Sequence, residues 1–174
     1  MQYVVIFPKV VNSQPGEKVL LVEKDRPAWQ SGKLNLVGGK IEEGETPEQA
    51  ALRELKEEAG LLPLEINKVF PNEKNPRKNT IISVPIEPTV MGSVLGSWGV
   101  VYCVKVPILF GQKIAPREGE TEKVAWHEWN DVKLDERLLP NLKIIIPLMS
   151  MGVTGWVIAD EGPTNSQAKA MITI

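Results

Sequence analysis

The sequence predicts an α/β domain built on a mixed β-sheet with helices on its faces. Short β-branched runs recur along the chain, only two segments carry helical patterning, and the two kinds alternate. The 174 residues, 43% hydrophobic and 24% charged, suit one domain spanning 1–174, and they exclude disordered, collagen-like and low-complexity classes. No internal repeat is visible.

Residues 3–7 and 19–22 are apolar runs on either side of Asn12-Ser13-Gln14-Pro15-Gly16, which predicts a strand pair joined by a turn. Residues 34–37 form a third short strand, stopped by Gly38-Gly39. Residues 47–59 are the clearest helix. Thr46 is its candidate N-cap, Pro47 takes the first helical position, Gln49 completes a capping box, and Gly60 supplies a left-handed end. Residues 64–70, 80–86, 99–106 and 123–126 read as strands, with 71–79 a polar loop. Residues 141–151 predict a second helix with Pro147 as its weak point. Residues 153–159 and 170–174 read as closing strands around a polar turn at 160–169.

The charge balance is close to neutral, with 22 acids against 20 bases and a net of −2, which argues against a protein that coats nucleic acid polymers. Cys103 is the lone cysteine and forms no internal disulfide, so a reducing compartment is expected. With His127 as the only histidine, zinc chemistry on His/Cys ligands and a Cys–His nucleophile are both unsupported. Any metal must be held mainly by oxygen. No run nears the ~20 apolar residues of a bilayer span, so no targeting segment, no membrane partner and a cytoplasmic location are expected.

The informative stretch is residues 39–61, GKIEEGETPEQAALRELKEEAGL. At roughly 100° per residue, Glu54, Glu57 and Glu58 share one helix face, while Leu52, Leu55 and Ala59 fall on a separate apolar stripe. Like charges at this spacing destabilise a helix, and a hard divalent cation is the natural offset. Gly38-Gly39 and Gly44 let the loop backbone approach a ligand closely. Glu45 stands near the positive helix end, and Arg53 is placed to orient a carboxylate or reach a phosphate. ELKEE alone is better read as a solvated face, since most Glu-rich helical faces are no more than that. The whole pattern fixes seven identities at set spacing, a chance match on the order of one in 10⁸ at average residue usage.

Residues 39–61 resemble a complete Nudix box, Gx5Ex7REUxEExGU, with no departure at Gly39, Glu45, Arg53, Glu54, Leu55, Glu57, Glu58, Gly60 or Leu61. The wording is especially similar to the MutT-type nucleoside triphosphate pyrophosphohydrolases. The resemblance implies an α/β/α sandwich and a Mg²⁺-dependent hydrolase of phosphoric anhydride bonds, with Mn²⁺ able to substitute. Its substrates would be small molecules built as a nucleoside diphosphate linked to another moiety. Glu54, Glu57 and Glu58 would be metal ligands, assisted by the carbonyl of Gly38, while Glu45 and Arg53 would hold the carboxylates in place. Glu54 is the first choice of general base. Some family members use a later-loop glutamate instead, and among Glu118, Glu120 and Glu122, Glu120 matches that position best.

Substrate contacts are harder to read. Trp29, Trp98 and Trp126 are candidates to stack on a base, although tryptophans more often fill cores. Lys40 and Arg26 are candidate phosphate contacts, beside the close-approach backbone at Gly39. Asn141 resembles in placement an asparagine that reads a purine in MutT-type enzymes, although helix-start asparagines are usually caps. His127 reads as a strand-end residue and Cys103 as core. The expected reaction takes a (d)NTP or oxidised dNTP to a nucleoside monophosphate and pyrophosphate. One alternative is an ADP-ribose or other nucleoside-diphosphate-sugar pyrophosphatase, to which Pro76 speaks weakly. Another is a non-catalytic Nudix-like sensor, against which the intact box argues. A homodimer is compatible with the resemblance.

Overall fold

A computed structural model of the chain describes residues 1–11, 18–71, 79–159 and 169–171. The expected turn at 12–16, the polar loop at 72–78 with Pro76, most of the turn at 160–169 and the end of the last strand lie outside the described residues.

Five strands form a mixed sheet in the order β1 (Gln2–Val10), β7 (Gly99–Ile108), β6 (Thr89–Gly96), β9 (Trp156–Ala159), β10 (Lys169–Met171). β1 runs parallel to β7, and β6 parallel to β9. A second, antiparallel sheet has the order β3 (Leu34–Leu36), β2 (Lys18–Glu23), β8 (Lys123–Glu128). A hairpin of β4 (Glu65–Pro71) and β5 (Asn79–Pro85) stands apart. The helices are α1 (Pro47–Ala59), the single turn α2 (Trp129–Val132) and α3 (Leu142–Met151).

Two expectations are corrected. β1 and β2 do not pair with each other; β1 takes the distant β7 as its parallel partner, and β2 lies between β3 and β8. The central strand β6 was not among the predicted strands. Its sequence, TVMGSVLG, is broken by glycine, and Gly92 is there because a Cβ would lie 2.2 Å from the Trp156 ring. That requirement comes from β9, so nothing local to β6 announces it.

Alternation along the strands divides the core between two faces. Val4, Ile6, Leu20, Val22, Val104 and Val106 pack toward α1, with Ala50, Leu55 and Ala59 from the helix. Phe7, Val19, Leu21, Cys103 and Trp156 pack toward α3, with Ile145, Ile146 and Met149. This is the α/β/α sandwich, with the mixed sheet between helices.

The site is positioned by the meeting of β1 with the segment after β3. Val4 and Ile6 donate backbone hydrogen bonds to Gly39 and Val37, and Ile41 donates to Gln2. Gly38 has φ +153°, and a Cβ there would lie 2.1 Å from the Val4 carbonyl oxygen, so only glycine lets β1 pass. α1 then begins as the sequence predicts. The Thr46 side chain accepts from Gln49 N, the Gln49 side chain accepts from Thr46 N, and Gly60 ends the helix at φ +68°.

Candidate active site

Arg53 is the hinge of the site. Its Nε and one terminal nitrogen grip both oxygens of Glu45 at 2.7 and 2.9 Å. The other terminal nitrogen reaches Glu54 Oε1 at 2.7 Å and Glu57 Oε2 at 3.5 Å. Arg53 also donates to the Lys40 carbonyl at 3.0 Å, tying the glycine loop to the helix. Glu45 accepts the Glu42 amide at 2.9 Å, and Arg53 holds its carboxyl at about 2, well below the usual range. The Glu54 carboxylate fills the space that a side chain at Gly39 would need; a Cβ there would lie 2.3 Å from Glu54 Oε1.

Glu57 and Glu58 turn to cations from other parts of the chain. Glu57 Oε1 pairs with Arg117 at 3.0 Å, and Arg117 reaches Glu120 at 3.4 Å. The loop carrying Arg117 is fastened to the end of α1, because Ala115 and Arg117 donate backbone hydrogen bonds to the carbonyls of Ala59 and Glu57. Glu58 Oε2 accepts the Gly38 amide at 2.9 Å, while its Oε1 lies 3.8 Å from Lys24 Nζ. Lys24 is bonded more closely to Glu122, at 2.5 Å. Burial pushes Glu58 up to about 7 against the opposing pull of Lys24 and the Gly38 amide. Glu54 is also raised, first by burial, with Arg53 opposing and the charges of Glu57 and Glu45 reinforcing.

Six carboxylates, those of Glu45, Glu54, Glu57, Glu58, Glu120 and Glu122, thus share three cations, Arg53, Arg117 and Lys24. An all-oxygen donor set with surplus negative charge and two carboxyls pushed up by burial fits a hard divalent cation. The oxygens do not form a ready cage. Among the described residues no three acid or other ligating side chains converge to hold a metal; Glu54 and Glu57 are drawn to Arg53, Glu57 also to Arg117, and Glu58 to Lys24.

The other predicted residues are placed as follows. Among the described residues Glu120 meets the box through Arg117, whereas Glu122 approaches Glu58 through Lys24. Trp29 is exposed on the short turn Ala28–Gln30, within a loop closed at its base by Lys24–Lys33 and Gly32–Lys24 backbone bonds. Lys40 is exposed. Asn141 opens α3, with the opposite core face, and its side chain makes no cap bond to the helix. Trp98 is exposed and tilted against Tyr3, Trp126 packs on the α1-side core, Arg26 is exposed, and Cys103 is buried. Sequence reasoning missed Lys24 and Arg117. Both lie outside the box, and only folding brings them to it.

Residues 3–149 match the NUDIX domain family. The chain belongs to this family. Among curated relatives, the Nudix chain is 48% identical over 46 residues to the 8-oxo-dGTP diphosphatase of Escherichia coli, covering 26% of this chain and 36% of that protein. It is 46% identical over 55 residues to the ADP-sugar pyrophosphatase of Mus musculus, covering 32% and 25%. The chain thus spans about a third or less of these curated relatives. Among solved structures, the MutT protein of Bacillus halodurans superposes with a TM-score of 0.61 at 16% identity, over 96% of this chain and 93% of that one. No helix of the described residues is long and apolar enough to cross a membrane.

Proposed function

We propose that this Nudix protein is a divalent-cation-dependent pyrophosphohydrolase of small nucleotides, taking a (d)NTP or oxidised dNTP to a nucleoside monophosphate and pyrophosphate. The observation that carries the reading is the set of Glu54, Glu57 and Glu58 on one face of α1 beside the glycine loop, the first two gripped by Arg53 and the third held by the Gly38 amide. The local likeness to an 8-oxo-dGTP diphosphatase supports the choice of substrate.

Glu54, Glu57 and Glu58, with the Gly38 carbonyl, are the residues that would hold Mg²⁺ or Mn²⁺. The cation, when bound, neutralises phosphate charge and acidifies a water. Arg53 holds Glu54 by Oε1, which leaves Oε2 to accept the proton of an attacking water, and the burial that raises Glu54 makes it a better base near neutral pH. The water oxygen bonds to one phosphorus of the α–β anhydride. The bond from that phosphorus to the bridging oxygen breaks, and the bridging oxygen leaves with the other phosphate. Glu120 is the second candidate base. Lys40 and the Gly39 backbone are candidate phosphate contacts, Trp29 offers its exposed ring to a base, and Asn141 is a candidate for reading the base edge.

A hydrolysis panel of normal and oxidised dNTPs, ADP-ribose and dinucleoside polyphosphates, with Mg²⁺ and with EDTA, tests the reading. Pyrophosphate release from dNTPs that stops in EDTA is expected. Turnover of none of these compounds, or turnover indifferent to EDTA, sinks it. The likeness to an ADP-sugar pyrophosphatase favours a second reading, marked by AMP and ribose phosphate from ADP-ribose. Nucleotide binding without turnover, unchanged in Glu57→Gln, would instead indicate a sensor.

A further inference from the structure

Lys24 follows β2 and has no place in the Nudix box. Val22 points into the α1-side core, so Lys24, two residues on, leaves the sheet on the same face. The antiparallel register, with Glu23 opposite Lys123, carries Glu122 to the same place. Both side chains are largely buried, at 15% and 14% exposure. Glu122 is fixed at both oxygens, Oε2 by Lys24 Nζ at 2.5 Å and Oε1 by the Asp25 amide at 3.0 Å. Glu58, equally buried, is held at Oε2 by the Gly38 amide and faces the same ammonium with Oε1 at 3.8 Å. One ammonium is therefore shared unequally by two carboxylates, and the nearer one lies outside the box.

We propose that Lys24 is a positioning residue: a resident counter-charge that holds Glu58 before a divalent cation binds, then yields it while remaining on Glu122. The inference rests on the reading of Glu58 as a cation ligand. Two positive charges at one carboxylate repel, so Lys24 competes for Glu58, and its stronger bond to Glu122 sets how readily it gives way. The two variants therefore move binding in opposite directions. Lys24→Met removes the competitor, whereas Glu122→Gln removes the anchoring charge and commits Lys24 to Glu58. A merely structural pair would weaken binding in both, since each variant breaks the same buried Lys24–Glu122 pair.

The test is a Mn²⁺ titration of nucleotide-free protein followed by electron paramagnetic resonance, with thermal melting to check the fold. Binding about tenfold tighter in Lys24→Met and about tenfold weaker in Glu122→Gln is expected, with Lys24→Arg near wild type. In the double variant Glu122 no longer matters, and binding follows Lys24→Met. Shifts in the same direction, or no shift in either, overturn the inference. If Lys24→Met does not fold, Lys24→Gln is read by the same criteria. Glu58→Gln separates the two levels. Wild-type protein that binds no Mn²⁺, or binding indifferent to Glu58→Gln, overturns the ligand reading and the inference together. Binding lost in Glu58→Gln without divergence of the other two variants overturns the inference alone.

Discussion

α1 and α3 cover opposite faces of the same core with very different sequences. α1 buries mostly small residues, Ala50, Ala51 and Ala59 around Leu55, and it is closed at both ends by local devices, a capping box and a left-handed glycine. α3 buries Leu142, Ile145, Ile146 and Met149, lacks a side-chain cap at Asn141, and tolerates Pro147 in its interior. The first helix is specified by its own ends and the second by what it packs on. A helix secured at its caps can carry like charges on the face turned away from its apolar stripe, and α1 does so with Glu54, Glu57 and Glu58. α3 carries no comparable set and contributes stability.

The largest expected effect breaks this contrast at α1. Glu57→Gln or Glu58→Gln lowers kcat by at least ~10²-fold with the fold intact, as judged by circular dichroism beside steady-state kinetics. Near-wild-type turnover in both would remove the functional half of the comparison. The converse change is Ile145→Ala in α3, which costs about 2–5 kcal/mol in urea unfolding while leaving kcat/KM of the folded fraction unchanged.

A third change sharpens the comparison through pH. Glu58 titrates in the folded, cation-free protein at about 7, above its ordinary 4.5. Between those values the unfolded chain has released a proton that the folded chain still holds, so this group lowers stability as pH rises through the window. Glu58→Gln therefore stabilises the protein in EDTA at pH 8 by about 1–3 kcal/mol and changes little at pH 4. Glu45 has the opposite sign: its contribution is present above pH 4.5 and is lost as the pH falls toward 2. Melting curves in EDTA across pH 3–9 would separate the two. Equal stability of Glu58→Gln and wild type at pH 8 would show that burial does not strain this carboxylate. The smallest effect is Thr46→Ala, about 1 kcal/mol, since it removes one half of the capping box.

Legibility in the sequence followed the same division. Pro47–Ala59 is the helix that Thr46, Pro47, Gln49 and Gly60 predict, because every signal lies within a turn of the end it marks. The expected pairing of β1 with β2 failed because a parallel partner, β7, leaves no mark in either strand. β6 was hidden because its glycine answers to Trp156, some sixty residues away in the chain.

The sequence by itself therefore determined the family, the helix, the three carboxylates on one face and Arg53 beside them. Spacing along a helix is local geometry, and a local pattern can be read without the fold. Only the tertiary structure decided which charges answer those carboxylates. Lys24 meets Glu122 across 98 positions of chain, and Arg117 meets Glu57 across 60, because sheet register and the loop fastened to the end of α1 bring them together. Long-range charge pairing depends on where strands register, and that information resides in the packed core rather than in any one segment.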